Sequence, residues 1–597
     1  MRRNVRGVGR FWWLARWRDD ERGVALVMVI GVGAVLMVLV ATALAYSAGG
    51  MQKARTDQDW NDAMAAAYAG VEEYESRLAN DNTYQQYGNP ASLFSATSSV
   101  TLPTGAQTNL AFGVGRNQSW AQVSGSTRAY YRYEVDNSKY SSTGVLRVRS
   151  TGKVGNEVRS IVVNLKQDGF IDFLYFTDYE IQDPALSGVP NTCVKYYWAG
   201  RGSGCSEIAF DGGDVVNGPV HSNDAIRICS AEFTQSVTTA YNPATGPRYV
   251  PKNSSGSNCT GQTFDDPNAP TYSPVVGMPP TNASMKNEVR SDLPVDVPRP
   301  GCLYTGPTSI VYNSNGTMTI RSPWTKSTQV SGSPATGPAQ TPAMCGTLGT
   351  GTGQLGSPGG ATIPVIPQNL VFVQNVPSTV GDPNYWAANA WPGSATGLNC
   401  AVTSGTLACK GASGQANGNG LGYPMTNEVA PSSTSYQPRV GDVFIKGTLK
   451  GAETVYADNY IYVTGNLTYN DANSDILGLV GNNAIFVYNP MNSSNQKLLS
   501  DTDREIDAAI LSVAHTFQVQ NYSVGGNRGT LTVKGAIAQK FRGIVRNGSN
   551  GYIKNYVYDP RFRYLAPPKF LSPVSTSYGV SVVVEVKTAF TVAGDAL

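Results

Sequence analysis

The 597-residue sequence contains little charge and almost no histidine. Asp, Glu, Lys and Arg together make up 15% of the residues, and histidine occurs twice. The net charge is +3, much of it from an arginine-rich start, and no basic patch large enough for nucleic acid is present. We therefore expect no nucleic-acid partner. The low charge, with 64 glycines and 32 tyrosines, is typical of extracellular β-rich proteins with long loops.

Thirty consecutive residues, Gly23 to Gln52, carry no charge. Within them, Val24–Tyr46 is an apolar run of 23 residues, and a bilayer core needs about 20 residues of helix. Arginines precede this run, so the positive-inside rule keeps the basic leader, residues 1–23, in the cytoplasm. The run is too long for the h-region of a secretory signal, and no convincing A-x-A cleavage site follows it. We expect a single-pass membrane protein with its bulk outside the cytoplasm.

The segment after the apolar run is predicted to continue the helix to residue 80. Lys53–Asn80 has no proline, and its apolar residues recur with 4-3-4-3-4 spacing, which places them on one helix face. Residues 24–80 would then form one rod, roughly 80 Å long at 1.5 Å per residue. A lone membrane anchor needs no such rod, whereas filament subunits pack rods side by side. This apolar stripe consists of Trp60, Met64, Ala67, Val71, Tyr74 and Leu78.

Residues 22–79 resemble the N-terminus of type IV pilins, and specifically of PilX-type minor pilins. The matching pieces are Arg22-Gly23 before the apolar helix, Val24-Ala-Leu-Val, and Ala65-Ala-Ala-Tyr-Ala-Gly-Val-Glu-Glu73. The resemblance implies that prepilin peptidase cuts after Gly23 and that Val24 becomes the new N-terminus. It also implies that other pilin subunits are partners, which would contact the helix along the apolar stripe.

The chain departs from the pilin pattern at two positions. Its first mature residue would be Val24 instead of phenylalanine, and its fifth is Met28, where major pilins carry glutamate. That glutamate is thought to pair with the N-terminal amine of a neighbouring subunit. Its absence suits some minor or tip-type subunits and argues against a major pilin.

All eight cysteines lie beyond the apolar run. In an exported chain, an even number indicates up to four disulfides. A zinc site would need closely spaced cysteine pairs and histidines, and the only histidines are His221 and His515. Sequential pairing is the simplest expectation, although the spacing leaves the connectivity open. The cysteines are Cys193, Cys205, Cys229, Cys259, Cys302, Cys345, Cys400 and Cys409.

Two β-rich regions are predicted after the helix. Residues 81–168 read as a small antiparallel module with a hairpin turn at Gly155-Asn156, and such a sheet would cover the apolar stripe. Residues 169–597 contain short apolar strands between turns, which favours a right-handed parallel β-helix, with a β-sandwich as the alternative. The Gly-, Ser-, Thr- and Pro-rich residues around 231–430 are predicted to be disulfide-bearing insertions in this head.

Few residues suggest chemistry. Both histidines lie in settings typical of structural residues, and no G-x-S-x-G motif surrounds them. Asp471, Asn473 and Asp475 match the first three ligand positions of a calcium loop but lack its Gly and closing Glu, so calcium is a weak candidate and no other cofactor is expected. Three aromatic segments are candidates for a surface that binds a glycan or a protein: Tyr196-Tyr-Trp198, Trp386 and Trp391.

These observations predict a non-enzymatic surface protein, a minor pilin-like subunit with a large β-helix head. Because so large a head would crowd a repeating filament, we expect it at a filament tip, in assembly priming or in adhesion. A membrane-anchored polysaccharide-active β-helix enzyme is the competing class, since carboxylates in the groove of a β-helix perform such chemistry. A signal-anchored envelope scaffold without a pilus is the third.

Overall fold

The computed structural model describes residues 21–80, 82–140, 145–167, 169–202, 204–211, 213–293, 301–430, 436–563, 565–573 and 578–597. The fold is mainly β, preceded by one long helix, α1 (Glu21–Asn80), of 60 residues. Residues 1–20 of the predicted leader lie outside the described part. Among the described helices, the stretch Ala25–Leu78 alone is long and apolar enough to cross a membrane. This helix fits a single-pass membrane anchor.

The chain forms two compact units. The first unit comprises Met1–Ser138, Leu146–Leu165 and Val580–Leu597, and the second comprises Lys139–Val145 and Lys166–Gly579. The second unit is therefore largely an insertion in the chain of the first.

The first unit contains a five-stranded sheet in the order β1-β2-β3-β4-β31. The β1–β2 and β2–β3 pairs are antiparallel, with Tyr133 opposite Ser150. The chain end was predicted to belong to the head, but the last strand instead joins the sheet of the small module. The strands are β1 (Ala121–Gln122), β2 (Ala129–Asp136), β3 (Val145–Val154), β4 (Glu157–Gln167) and β31 (Tyr578–Val586).

The second half of α1 packs on this sheet where small residues allow close approach. A Cβ at Gly152 of β3 would overlap the carbonyl oxygen of Ala63 and the amide nitrogen of Ala67. A Cβ at Gly70 would meet the side chains of Ser150 and Tyr131. Helix and sheet backbones can therefore touch only because glycine occupies both positions. Next to this crossing lies a cluster of edge-to-face aromatic rings, formed by Tyr74, Tyr84, Phe112 and Tyr133.

The C-terminal residues are bound to the first unit by several polar contacts. Arg159 forms an ion pair with Glu585 (2.7 Å), and Arg116 pairs with Asp595 (2.8 Å). The buried Arg132 donates to the carbonyl oxygen of Gly594 (3.1 Å). Burial lowers the pKa of Arg132 to about 10, against the opposing effect of the Glu134 carboxylate. These contacts join residues more than 400 positions apart in the sequence.

The described elements of the second unit are many short strands, several 3-10 helices and the short α-helix α2 (Pro184–Ser187). Described residues of this unit form a 22-stranded sheet and two two-stranded sheets. The strands are β5 (Tyr175–Tyr179), β6 (Ala209–Phe210), β7 (Val215–Asn217), β8 (Val220–Ser222), β9 (Arg227–Ile228), β10 (Glu232–Phe233), β11 (Val237–Thr239), β12 (Thr263–Phe264), β13 (Thr271–Tyr272), β14 (Cys302–Thr305), β15 (Thr308–Asn313), β16 (Thr317–Arg321), β17 (Ala361–Pro364), β18 (Asn369–Gln374), β19 (Cys400–Thr403), β20 (Thr406–Cys409), β21 (Val443–Leu449), β22 (Ala452–Ala457), β23 (Ile461–Tyr469), β24 (Ile476–Gly481), β25 (Ile485–Val487), β26 (Arg504–Ser512), β27 (Phe517–Val519), β28 (Asn527–Phe541), β29 (Arg546–Asn547) and β30 (Asn550–Tyr558).

Most strands of the large sheet pair in parallel, in three runs. Run A has the order β14-β18-β22-β24-β26-β28-β5-β8-β11-β13. Run B has the order β15-β21-β23-β25-β27. Run C continues from β21 and β23 through β26-β28-β30-β7-β10-β12. Among the described residues of the second unit, the antiparallel strand pairs are β15-β16, β16-β17, β19-β20 and β29-β30.

The register of the parallel strands places the apolar side chains of the second unit's core in line with one another. In run B, aliphatic residues at equivalent positions lie directly opposite one another, and all are buried. Because side chains in register point to the same face of each strand, each position adds one layer to a continuous apolar column. The column in run B consists of Ile310, Ile445, Val463, Val487 and Val519.

The first strand of the second unit lies inside run A rather than at its end. β5 pairs with β28 on one side and β8 on the other, with Tyr175 opposite Ile537 and Val220. The incoming and outgoing chain are also close, because Tyr558 Oη donates to the carbonyl oxygen of Ile171 (2.9 Å). Both ends of the inserted unit therefore meet in the middle of its own sheet.

The range 231–430 contributes more structure than the sequence predicted. Strands β10 to β18 fall within it and belong to the large sheet. Most of them are only two to six residues long, too short to show a period, and long loops separate them. The four disulfides pair the cysteines in sequence order, as Cys193–Cys205, Cys229–Cys259, Cys302–Cys345 and Cys400–Cys409.

Candidate functional site

The proposed processing junction lies within α1. The described part of α1 starts at Glu21, and both Gly23 and Val24 have helical backbone. From Leu26 to Leu44 the large apolar side chains are exposed on all sides of the helix. A helix that is apolar all round is stable in lipid or among other apolar helices but not in water. This part of α1 is therefore a surface for lipid or partner helices.

Most of the apolar stripe packs inside the protein's own first unit. Ala67, Val71, Tyr74 and Leu78 are buried inside the first unit, and Met64 is half-buried. The expectation that partner pilin helices contact the whole stripe is therefore wrong, because these four side chains are already covered. Trp60, at the membrane end of the stripe, remains 45% exposed, and the guanidinium of Arg159 lies over its ring at 4.6 Å.

A row of stacked aromatic rings in the second unit leads from its core to solvent. Phe541 stacks on Tyr179 (5.6 Å between centroids), Tyr179 on Tyr196 (5.1 Å) and Tyr196 on Trp198 (4.9 Å). Trp198 in turn stacks on Tyr241 (6.1 Å). We call these five rings the aromatic row. Its inner end is buried at Phe541, whereas Trp198 is 45% exposed.

The outer end of the row borders a groove of about 540 Å³. Trp198 and Tyr197 come from the loop after β5, Tyr241 follows β11, and Tyr272 belongs to β13, the last strand of run A. We call this the aromatic groove. Its lining residues are Tyr197, Trp198, Ala240, Tyr241, Asn242, Pro243, Tyr272 and Val275.

The loop that carries Tyr196–Trp198 is held firmly. Asp224 accepts a hydrogen bond from the backbone amide of Tyr197 (2.7 Å) and forms an ion pair with Arg201. Burial raises the pKa of Asp224, and the guanidinium of Arg201 opposes that rise. Asp178 accepts from Tyr196 Oη (2.9 Å). With the Cys193–Cys205 disulfide, these contacts fix both ends of the loop and its aromatic centre.

Only part of the lining of this groove was predicted from the sequence. Tyr196-Tyr-Trp198 was a candidate, but Tyr241 and Tyr272 were not, since nothing local marks them. The other two aromatic candidates lie elsewhere. Trp386 donates from Nε1 to the carbonyl oxygen of Trp324 (2.8 Å), and Trp391 packs against the same small cluster. They contribute to packing among the loops rather than to the groove.

Both histidines occupy structural positions. His221 of β8 is buried with its Nδ1 2.9 Å from Thr238 Oγ1 and its Nε2 3.1 Å from Asn223 Oδ1. It stacks on Phe176, which is directly opposite in register. Burial lowers the pKa of His221 to about 4, against the hydrogen bond to Asn223. His515 Nδ1 lies 2.6 Å from Asp183, which also caps α2.

The weak calcium candidates form a hydrogen-bonded turn. Asp471 accepts from the amide of Asn473 (2.9 Å) and the hydroxyl of Ser474 (3.0 Å). Asp475 accepts from the amides of Gly451 (2.8 Å) and Asp471 (2.6 Å). All four carboxylate oxygens thus have donors from the protein itself. Across the described ranges, no group of three or more His, Cys, Asp or Glu side chains is arranged to hold a metal ion.

A second groove, of about 630 Å³, is lined by charged residues that already have partners. Glu207 pairs with Arg201 (2.8 Å) and with Arg227, and Asp214 pairs with Lys554 (2.8 Å). Because these carboxylates are engaged in ion pairs, they are not arranged as a free acid and base.

No family model matches the chain, and no curated protein matches it. Among solved structures, a match is found with the crystal structure of the competence-associated pilin ComZ from Thermus thermophilus, at 11% sequence identity. The alignment covers 89% of this chain and 97% of that chain, with a TM-score of 0.24. A TM-score this low does not establish a shared fold.

Proposed function

We propose that this chain is a minor pilin-like surface protein of the PilX type, anchored by α1 and processed after Gly23. The observation that carries the proposal is the two-part character of one continuous 60-residue helix. Its first half is apolar all round, and its second half is covered by an antiparallel sheet. A signal anchor alone would explain the first half but not the second. The Arg22-Gly23 junction lies directly before the apolar part of that helix.

The second unit is proposed to be a right-handed parallel β-helix. Parallel pairing in three runs, with aliphatic columns in register, is what a stacked solenoid requires. A β-sandwich would instead be built from antiparallel strands. The first unit's sheet and α1 would form the pilin-like part, and the solenoid would be an elaboration inserted before its last strand.

A tip position, with a role in priming or adhesion, follows from the size of the insertion. The second unit spans Lys166–Gly579, far more chain than the first unit contains. Such bulk on every subunit would crowd a repeating filament. Met28, at the position where major pilins carry glutamate, also suits a minor subunit. The chain is proposed to be non-enzymatic, a proposal supported by the ion pairs that hold Glu207 and Asp214, two of the carboxylates lining its charged groove.

The mass of the mature N-terminus tests the pilin proposal. In cells with prepilin peptidase, the purified chain should begin at Val24, and in cells without it at Met1. Gly23→Val should block cleavage, whereas Gly33→Val, in open space on the same helix, should not. A wild-type chain that keeps residue 1 in the presence of the peptidase would show that the protein is not a processed pilin.

Immunogold labelling of the second unit tests the tip position. Label should concentrate at filament ends, and even labelling along filaments would reject that position.

Assays with polysaccharides test the non-enzymatic proposal. Reproducible glycan cleavage, abolished by changing one head carboxylate such as Glu207→Gln, would assign the chain to the competing class of polysaccharide-active enzymes.

A further inference from the structure

The aromatic groove is an exposed surface lined mainly by aromatic and apolar residues. Trp198 is 45% exposed and Tyr272 is 50% exposed, and both line the same groove. Solitary exposed aromatic side chains are common, but a cluster of them in one concavity marks a binding site. Building on the proposed adhesive function, we propose that this groove binds a neutral carbohydrate chain.

The shape of the groove fits a sugar ring. The ring planes of Trp198 and Tyr241 are only 20° apart with their centroids 6.1 Å from each other, and Trp198 is 45% exposed, so flat aromatic surface remains open to the groove. Sugar rings have flat faces of C–H groups and edges of hydroxyls. An aromatic face covers the former, and polar groups at the rim serve the latter. The volume of about 540 Å³ lies within the range of small-molecule sites, roughly 300–1,000 Å³.

The polar groups at the rim are those that sugar hydroxyls require. The lining of the groove carries the hydroxyl groups of Tyr241 and Tyr272 and the indole N–H of Trp198. Each is a donor, and the two hydroxyls also accept. Such groups match the alternating donors and acceptors of a sugar better than the aliphatic side chains of a peptide.

The charge of the groove favours a neutral ligand. None of its lining residues is charged. One cation approaches from outside, since Arg248 Nε donates to Asn242 Oδ1 (3.1 Å), and this contact occupies the amide oxygen. An acidic polysaccharide would need several cations in the lining to replace its hydration.

The groove is also rigid before any ligand binds. Trp198 stacks on Tyr196 (4.9 Å between centroids), and Tyr196 is itself fixed by its hydrogen bond to Asp178. The backbone of Tyr241 is fixed separately, since its amide donates to Thr239 Oγ1 (3.0 Å). Rings that are already ordered lose little conformational entropy on binding, so weak stacking contacts are sufficient for affinity.

The test uses the full-length protein in a detergent without a sugar head group. The protein is applied to a printed array of neutral and acidic glycans, and the best neutral oligosaccharide is then titrated by calorimetry. We expect binding to neutral glycans. Trp198→Ala and Tyr272→Ala should each weaken the affinity about tenfold or more, because each removes one stacking face. Trp198→Phe keeps a ring and should retain most of the affinity.

Trp60→Ala is the matched control, since Trp60 is also 45% exposed but belongs to the first unit. It should leave glycan affinity unchanged, and all variants should keep the wild-type unfolding temperature of the second unit. The proposal is overturned if no neutral glycan binds, if acidic glycans bind preferentially, if an apolar peptide competes for the site, or if the two alanine variants bind as wild type. The N-terminal mass of the same preparation reports separately on the pilin proposal, so either can fail alone.

Discussion

The two units of this protein are stabilised by different means. The first unit holds an antiparallel sheet against a helix, contains no cysteine, and depends on glycines at the crossing and on a C-terminal strand. The second unit stacks parallel strands in runs, contains all four disulfides, and has its incoming and outgoing chain side by side. The contact between its incoming and outgoing chain involves only its own residues.

This difference has a consequence for folding. The second unit has all its strands once the chain reaches Tyr558, whereas the sheet of the first unit lacks its edge strand until Tyr578–Val586 is present. Contacts between residues hundreds of positions apart form slowly, because a long loop must close first. The first unit should therefore be completed last, and it should be the one sensitive to changes at the chain end.

Deleting residues 580–597 should produce the largest difference in stability between the two units. The deletion removes β31 and the partners of Arg159, Arg116 and Arg132, which leaves the buried Arg132 without its Gly594 acceptor. We expect the first unit to lose at least about 4 kcal/mol, an exceptional loss that reflects several mechanisms at once. Hydrogen exchange should increase in β2–β4 and not in the second unit. Deleting Leu597 alone is the control, and equal loss of protection in both units would contradict the comparison.

Removing a disulfide should destabilise the second unit and leave the first unit unchanged. Cys302 and Cys345 are 43 positions apart, and the chain-entropy model gives about 4 kcal/mol for closing such a loop. The double variant Cys302→Ala, Cys345→Ala should therefore destabilise the second unit and leave the first unchanged in denaturant titrations. The matched pair Cys400→Ala, Cys409→Ala, only 9 positions apart, should cost less, about 2.5 kcal/mol. A larger loss for the short loop would show that loop entropy does not govern these bridges.

Enlarging Gly152 should destabilise only the first unit. A valine there would overlap the helix backbone at Ala63 and Ala67, so the helix must move away from the sheet. Overpacking of this kind costs about 1–3 kcal/mol, and an obstacle made of backbone places the change at the upper end. Gly49→Ala, in open space on the same helix, is the control and should not destabilise. Thermal unfolding followed by circular dichroism, with a separate transition fitted for each unit, measures the stability of the Gly152 variant and of the control.

The smallest expected effect concerns a buried carboxyl of the second unit. Glu453 accepts from Tyr312 Oη (2.6 Å), and its other oxygen has no partner among the described residues. Burial raises the pKa of Glu453 from 4.5 to about 7, against the hydrogen bond from Tyr312. Between these pH values the unfolded chain has lost this proton while the folded chain keeps it. The stability of the second unit should therefore fall as pH rises from 4.5 to 7.

Glu453→Gln removes this titration. At pH 8 it should stabilise the second unit by about 1–3 kcal/mol relative to wild type, and at pH 4 the two should be nearly equal. Urea titrations across this pH range measure the difference. Glu232→Gln, an exposed acid in the same unit, is the control and should change little. Destabilisation at pH 8 would mean that the folded protein needs the ionised carboxylate.

The first unit was the more predictable of the two. The helix, its buried face and the hairpin turn at Gly155-Asn156 follow from periodicity and turn signals within short segments, which local sequence displays directly. The prediction that partner helices contact the buried stripe was wrong, since periodicity shows that a face is covered but not by what. The strand Tyr578–Val586 was placed in the wrong region, because nothing in its sequence names a partner more than 400 residues away.

In the second unit, the sequence indicated the strands but not their neighbours. Placing β5 between β28 and β8 requires the whole chain path, as does bringing Tyr241 and Tyr272 to Trp198. Very short strands such as β12 and β13 have no detectable period at all. The aromatic groove therefore appears only when three separate segments are assembled.

By itself, the sequence determined the apolar membrane helix, the even set of exported cysteines and the mainly β character of the chain. These are properties of composition and of short-range periodicity, so they hold whatever the chain contacts later. Only the tertiary structure decided which residues complete the first sheet, which cover the helix stripe, and which aromatic rings line a groove. Those outcomes depend on pairings between distant segments, whose free energy depends on the whole fold rather than on any one segment.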